Sequence, residues 1–321
     1  MPDLSRSIQN EVASGLSAAN AHISPKYFYD RLGSVLFEAI CELPEYYPTR
    51  VEAGIFANYA AEMAQAIGSG SVMIDLGAGN CAKAASLFPK LHPAQYVPID
   101  ISGEHLQDAV ARLQQRFPHI EMTAWQADFS TQLHLPDEVR SEHRLFFYPG
   151  SSIGNFEPDA ALQFLRQLRA ACRNDRDGSM GNPGNIGGGI LIGVDLVKPD
   201  TVLNAAYDDV LGVTAAFNLN SLRHLNHLLG SDFDLRQWQH LAFFNAAQSR
   251  IEMHLQARVA QTVSWPGGQR HFAAGERIHT ENSYKYTMQS FLDLLEQAGF
   301  GRAKYWCDEN RWFAVFHAHA I

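Results

Sequence analysis

The most constraining feature of the chain is a set of short apolar runs, each ending on an acid or a glycine turn. Val72-Met73-Ile74-Asp75-Leu76 enters Gly77-Ala78-Gly79, Tyr96-Val97-Pro98-Ile99-Asp100 ends at Ile101-Ser102, and Met122-Thr123-Ala124-Trp125-Gln126-Ala127 ends at Asp128-Phe129. Leu145-Phe146-Phe147-Tyr148 precedes Pro149-Gly150, and Gly189-Ile190-Leu191-Ile192-Gly193-Val194-Asp195 follows. Runs this short and this apolar predict strands buried on both faces. Helical patterns separate them. Leu106, Ala109, Val110, Leu113 and Phe117 form one stripe after an N-cap at Ser102, and Pro118 stops it. Pro158 opens a second helix carrying Leu162, Leu165 and Leu168. The alternation predicts an α/β fold, a doubly wound, mostly parallel sheet with its ligand at the carboxyl ends of the strands.

The pattern changes after Asp195. Asp200 to Gly230 reads as helix and loop. Ile251, Met253, Leu255, Ala257 and Val259 then alternate with polar residues, predicting an antiparallel strand buried on one face, with Gly267-Gly268 turning to a partner near Arg270 to Ala273. Met288 to Ala298 reads as a helix ended by Gly299, and 304–307 with 312–316 as a closing hairpin. The first style thus resumes after an inserted block. Asn174 to Gly189 holds six of the 24 glycines and reads as a flexible connector.

Composition removes several classes of function. With 46% hydrophobic and 18% charged residues in 321, the chain has apolar surface enough for a core. Its net charge of −9 and lack of a basic block argue against nucleic-acid binding. No apolar run approaches a membrane span, and Met1 to Leu16 is too polar for a secretory signal. Cys41, Cys81, Cys172 and Cys307 lie far apart, as in ordinary free thiols of a reducing cytoplasm. His224-x-x-His227 and His317-x-His319 have metal-like spacing but no evident further ligand, so no metal is expected.

The strand ends carry the chemistry. Gly77-Ala78-Gly79-Asn80-Cys81-Ala82 fits a dinucleotide fingerprint and equally an S-adenosylmethionine (SAM) site. Asp100, 23 residues past Gly77, is placed to accept both ribose hydroxyls in either case. Asp128-Phe129 separates the two: a carboxylate for an adenine amino group, beside a ring for apolar packing. An acid before glycines, an acid at ribose and an acid at adenine together read as a SAM-dependent methyltransferase. An NAD-linked oxidoreductase and a non-catalytic SAM-binding protein are the rivals at this level.

Further clusters remain: Lys26-Tyr27-Phe28-Tyr29-Asp30, Leu43-Pro44-Glu45-Tyr46-Tyr47-Pro48-Thr49-Arg50, Gly150-Ser151-Ser152-Ile153-Gly154-Asn155, Ala206-Tyr207-Asp208-Asp209 and Thr280-Glu281-Asn282-Ser283. From about Pro25 to its end the sequence resembles the histidine Nα-methyltransferase family of ergothioneine biosynthesis. The resemblance implies a Rossmann-like SAM-dependent methyltransferase domain over 56–197 and 285–321. It also implies a smaller α+β substrate domain over 1–55 and 198–284. Histidine would bind between the domains and be trimethylated on its α-amine to hercynine, with S-adenosylhomocysteine as the other product and no obligate protein partner. By the same resemblance Asn155 and Tyr207 hold the amino-acid end of the substrate. Glu281 and Ser283, helped by Tyr46, read the imidazole, and Tyr29 aligns the amine as the catalytic residue. Gly77, Lys83, Asp100, Asp128 and Phe129 contact the cofactor, Lys83 at its carboxylate. The string Asn80-Cys81-Ala82-Lys83-Ala84 departs from the family's Ser and Lys-Thr pattern, and Cys81 reads as filler. A relative methylating a tryptophan derivative is the closer rival. Glu281 with Ser283 argues against it, because an indole offers only one donor.

Overall fold

The computed structural model describes residues 2–101, 103–129, 133–172 and 188–321, with no side-chain statement for 2–7, 104 and 105. The N-cap expected at Ser102, and the connector except Gly188 and Gly189, lie outside the described residues. The chain divides into two compact units, Met1–Tyr47 with Lys198–Tyr284, and Pro48–Val197 with Lys285–Ile321.

The second unit is the doubly wound sheet. Its strands are β1 (Val72–Leu76), β2 (Gln95–Asp100), β3 (Glu121–Met122), β4 (Trp125–Gln126), β5 (Arg144–Tyr148), β6 (Gly189–Asp195), β12 (Phe300–Cys307) and β13 (Phe313–Ala320). They run in the order β12-β13-β6-β5-β1-β2-β3, with β4 also on β2. Among the described strands of this sheet the antiparallel pairs are those of β13, with β6 and with β12. The strand expected at 122–127 is broken into β3 and β4. Both pair with β2, at Gln95–Tyr96 and at Ile99–Asp100. Helices α3 (Tyr47–Ile67), α4 (Ala82–Leu91), α5 (Gly103–Arg116), α6 (Pro158–Ala171) and α9 (Met288–Gln297) complete it. Apolar residues alternate between two cores. Ile74, Phe146, Ile192 and Phe316 pack with Leu165 and Phe291, while Met73, Phe147, Leu191 and Val315 pack with Phe56 and Phe88. Every residue of β1 and β6 is buried, which is why these strands read as continuous apolar runs.

In the first unit, α1 (Pro2–Ser17), α2 (Arg31–Cys41), α7 (Asp200–Tyr207) and α8 (Val213–Leu229) accompany a sheet of β7 (Trp238–Asn245), β8 (Arg250–Ala257) and β11 (Arg277–Tyr284), ordered β11-β8-β7. The Gly267 turn does not join β8 to a partner. It closes a separate hairpin of β9 (Gln261–Trp265) and β10 (Gly268–Phe272). Nor is β8 buried on one face only, since Glu252 and His254 are also buried. Glu252 accepts from Arg250 Nε and Asn245 Nδ2, each at 2.9 Å, and lies 3.1 Å from His254 Nε2, while His254 Nδ1 has no hydrogen-bond partner among the described residues. Val259 lies past the strand and is exposed. The core of this unit gathers Val12, Leu16, Leu222, Leu225, Trp238, Leu255 and Phe272.

Candidate active site

In the second unit β1 ends in a left-handed turn at Gly77 (φ 72°) and Gly79 (φ 51°), a region only glycine enters freely. Gly79 N–H donates to Asp100 Oδ2 at 2.9 Å, so the acid ending β2 is tied to the turn ending β1. A Cβ at Gly77 would stand 3.8 Å from Phe129 Cζ, and one at Gly79 would meet nothing within 4 Å. Phe129 is half-buried, its ring 6.0 Å from those of Tyr148 and Phe164. Asp128, beside it, is exposed. Asp75 is buried beneath the turn, its Oδ2 accepting from Tyr96 Oη at 2.7 Å. Its Oδ1 has no hydrogen-bond partner among the described residues. Burial pushes the Asp75 carboxyl up to about 7, despite the Tyr96 hydrogen bond. Cys81 is buried and its thiol is pushed up to about 12 by burial, which makes it filler rather than a nucleophile.

Lys83 lies on the first turn of α4, and Nζ is 2.6 Å from Glu52 Oε2. Glu52, on α3, is fully buried, and its Oε1 accepts from Gly150 N–H at 2.7 Å. It is a residue the sequence reading missed. Asn155 is half-buried at the end of a 3-10 turn, Ser152–Asn155, after β5.

In the first unit five expected residues come together. Tyr207 Oη donates to Ser283 Oγ at 2.8 Å, and both are buried. Glu281 stands two residues before Ser283 on β11, opposite Met253, and is buried too. Alternation along β11 turns Glu281 and Ser283 to one face. Tyr46 packs edge-on against Tyr207, with centroids 6.2 Å apart at 70°. Burial, then the neighbouring Tyr207, pushes the Tyr46 phenol well above its ordinary range, with Tyr29 and Glu281 adding to it. Tyr29 joins through Phe37 and Phe217, each 5.8 Å away in edge geometry. Phe37 in turn lies 6.2 Å from Tyr46, which makes a continuous aromatic run.

The sequence reading also missed what holds Tyr207. His240 Nε2 is 2.8 Å from the Tyr207 carbonyl, which can only accept, so this nitrogen carries the proton. Nδ1 then accepts from Asn218 Nδ2 at 2.8 Å. Burial lowers the His240 pKa and favours this neutral form. The histidine pairs serve elsewhere. His224 Nδ1 is 2.8 Å from the Tyr27 carbonyl, and His317 is buried in β13.

A glycine turn tied to an acid on the next strand of a doubly wound sheet, with an aromatic beside it, suits the nucleoside end of a SAM cofactor. The comparisons define the class further. A family model described as "Histidine-specific methyltransferase, SAM-dependent" matches residues 8–320, and the chain belongs to that family. It is 38% identical over 307 residues to the histidine N-alpha-methyltransferase of Mycolicibacterium smegmatis, covering 94% of this chain and 91% of that one. The enzyme of the same name from Mycobacterium tuberculosis is 38% identical over 308 residues, with the same coverage. The 4-dimethylallyltryptophan N-methyltransferase of Arthroderma benhamiae is 26% identical over 318 residues, covering 95% of this chain and 91% of that one. The chain is therefore a SAM-dependent histidine Nα-methyltransferase by family, and the NAD-linked reading falls away. Its own residues fit the cofactor: open space over Gly79, a ribose-type acid at Asp100 and an ammonium at Lys83. No described helix is long and apolar enough to cross a membrane.

Proposed function

We propose that this enzyme transfers three methyl groups to the α-amine of free L-histidine. The product is hercynine, and the reaction is a first step towards ergothioneine in the cytoplasm, without nucleic acid or an obligate protein partner. The first unit reads the imidazole of the substrate and the second holds the cofactor. The observation that carries this reading is the group of buried Glu281, Ser283 and Tyr207 with half-buried Tyr46 packed against Tyr207. A carboxylate accepts one imidazole N–H and a hydroxyl satisfies the other ring nitrogen. An analogue lacking those groups leaves buried polar atoms unpaired.

When bound, SAM supplies a methyl group already electrophilic on its sulfonium. Asp100 receives the ribose hydroxyls, Asp128 the adenine amino group, Phe129 packs on the ring, Gly77 lets the backbone approach and Lys83 takes the carboxylate. Asn155 and Tyr207 hold the amino-acid end of histidine. Tyr29 aligns the amine, and holding reactants in an attack geometry contributes several kcal/mol, up to about 7–11 in favourable cases. The amine's proton leaves to water. Tyr46 acts as a protonated donor rather than a base, because its phenol sits well above the ordinary range. The run of Tyr29, Phe37 and Tyr46 offers ring faces and phenol oxygens to the ammonium that grows with each methylation.

The test is incubation with SAM and L-histidine, read by mass. Gains of one, two and three methyl groups are expected, ending at three. Gain on L-tryptophan or its dimethylallyl derivative in place of L-histidine refutes the substrate assignment, and cofactor binding with no methylated product refutes the reaction.

A further inference from the structure

Glu52 does not face solvent, yet its carboxyl group lies at the carboxyl ends of the central strands. Both of its oxygens are used in the second unit. Oε1 accepts from the Gly150 N–H just past β5, and Oε2 pairs with Lys83 Nζ on α4. The neighbouring backbone leaves room for it. A Cβ at Gly193 of β6 would stand 2.0 Å from Glu52 Oε1. Gly150 itself has φ 77°, and a Cβ there would stand 3.2 Å from Lys83 Nζ. Glycine at both positions therefore admits a carboxylate and an ammonium that any larger residue would crowd.

A buried carboxylate is costly unless paired and hydrogen-bonded, and here it is both. A lysine ammonium has three N–H donors. One is held by Glu52, and Lys83 remains partly exposed, with 37% of its side chain accessible, so two donors stay available to a ligand. We propose that Glu52 is a positioning residue for the methionine end of the cofactor. It fixes the Lys83 ammonium and the Gly150 turn in place before the ligand arrives, without touching the ligand. The inference rests on the assignment of Lys83 to the cofactor carboxylate. It places selectivity for the amino-acid end of the cofactor on an internal ion pair that no glycine fingerprint contains.

The experiment measures binding of two probes to the full-length protein by calorimetry. S-Adenosylhomocysteine carries the amino-acid end, and 5′-methylthioadenosine lacks it. Glu52→Gln keeps the size and an oxygen for Gly150 N–H but removes the charge. It is expected to weaken S-adenosylhomocysteine roughly ten-fold or more while leaving 5′-methylthioadenosine unchanged. Retained 5′-methylthioadenosine binding reports that the fold is intact. Glu52→Asp keeps the charge one methylene short of its partners. It is expected to show the same selective loss in smaller degree, and it replaces Glu52→Gln should that variant fail to fold. Equal loss of both probes, or no loss of either, overturns the proposal. Lys83→Met separates the layers. If it leaves the preference for S-adenosylhomocysteine intact, the Lys83 assignment itself is wrong. If it removes that preference while the Glu52 variants do not, only the role of Glu52 falls.

Discussion

Glu281 and Ser283 sit two residues apart on β11, both buried, and Tyr207 reaches Ser283 from α7. If Glu281 pairs with imidazole, Glu281→Ala lowers kcat/KM for L-histidine by roughly 30-fold or more, about 2 kcal/mol, and leaves S-adenosylhomocysteine affinity unchanged. Steady-state kinetics beside calorimetry checks this, and a parallel fall in cofactor affinity would count against the assignment. Tyr29→Phe separates alignment from proton transfer. Alignment predicts a loss in kcat of about ten-fold or less with an unmoved pH–rate profile. A loss nearer 10⁴-fold with a shifted profile would make Tyr29 an acid–base group. Residues of this kind were legible because side-chain chemistry and order along the chain identify them. Glu52 was not, since Val51-Glu52 on a helix reads like any solvated acid until packing buries it. His240 was hidden for a similar reason: its partners, the Tyr207 carbonyl and Asn218, are distant in sequence.

The strands of the second unit were legible from sequence because burial on both faces makes them apolar throughout, and their acids mark where they stop. The edge was less so. β3 and β4 are two residues each, and a single apolar run cannot show where pairing with β2 lapses. β7 escaped because its residues after Trp238 are only half-buried, which blurs any period. Helix glycines provide a matched test. At Gly33 in α2 a Cβ would stand 1.7 Å from the Phe28 carbonyl oxygen, whereas at Gly54 in α3 it would meet nothing within 4 Å. Gly33→Ala is expected to destabilise by about 1–3 kcal/mol through overpacking. Gly54→Ala is expected to stabilise by about 0.5–1 kcal/mol through helix propensity. Thermal melts of the two variants should move in opposite directions, and movement in the same direction would contradict the backbone contact at Gly33.

Two buried groups of the second unit make opposed contributions to stability against pH. Burial, the first cause, lowers His317 from 6.5 to about 3, so the folded state resists its protonation. That contribution is fully present above pH 6.5 and is lost as pH falls towards 3. Asp75 is raised from 3.8 to about 7, so its contribution is fully present below 3.8 and is lost as pH rises through 7. Between 3.8 and 6.5 the folded state binds one proton fewer at the histidine and one more at the carboxyl, and the slopes nearly cancel. Asp75→Asn removes one side. Its stability should then rise with pH across that window, by up to about 1.4 kcal/mol per unit relative to the parent. Denaturant titrations at stepped pH would show it, and parallel curves for parent and variant would refute the opposition. The placement of β13 has another consequence. It lies inside the sheet, between β12 and β6, and both of its neighbours depend on it. During translation β6 leaves the ribosome long before the strand that covers its flank. A nascent chain therefore carries an open, largely apolar sheet edge until β13 has been made. Stopping synthesis at Arg311 should give aggregated rather than trimmed enzyme.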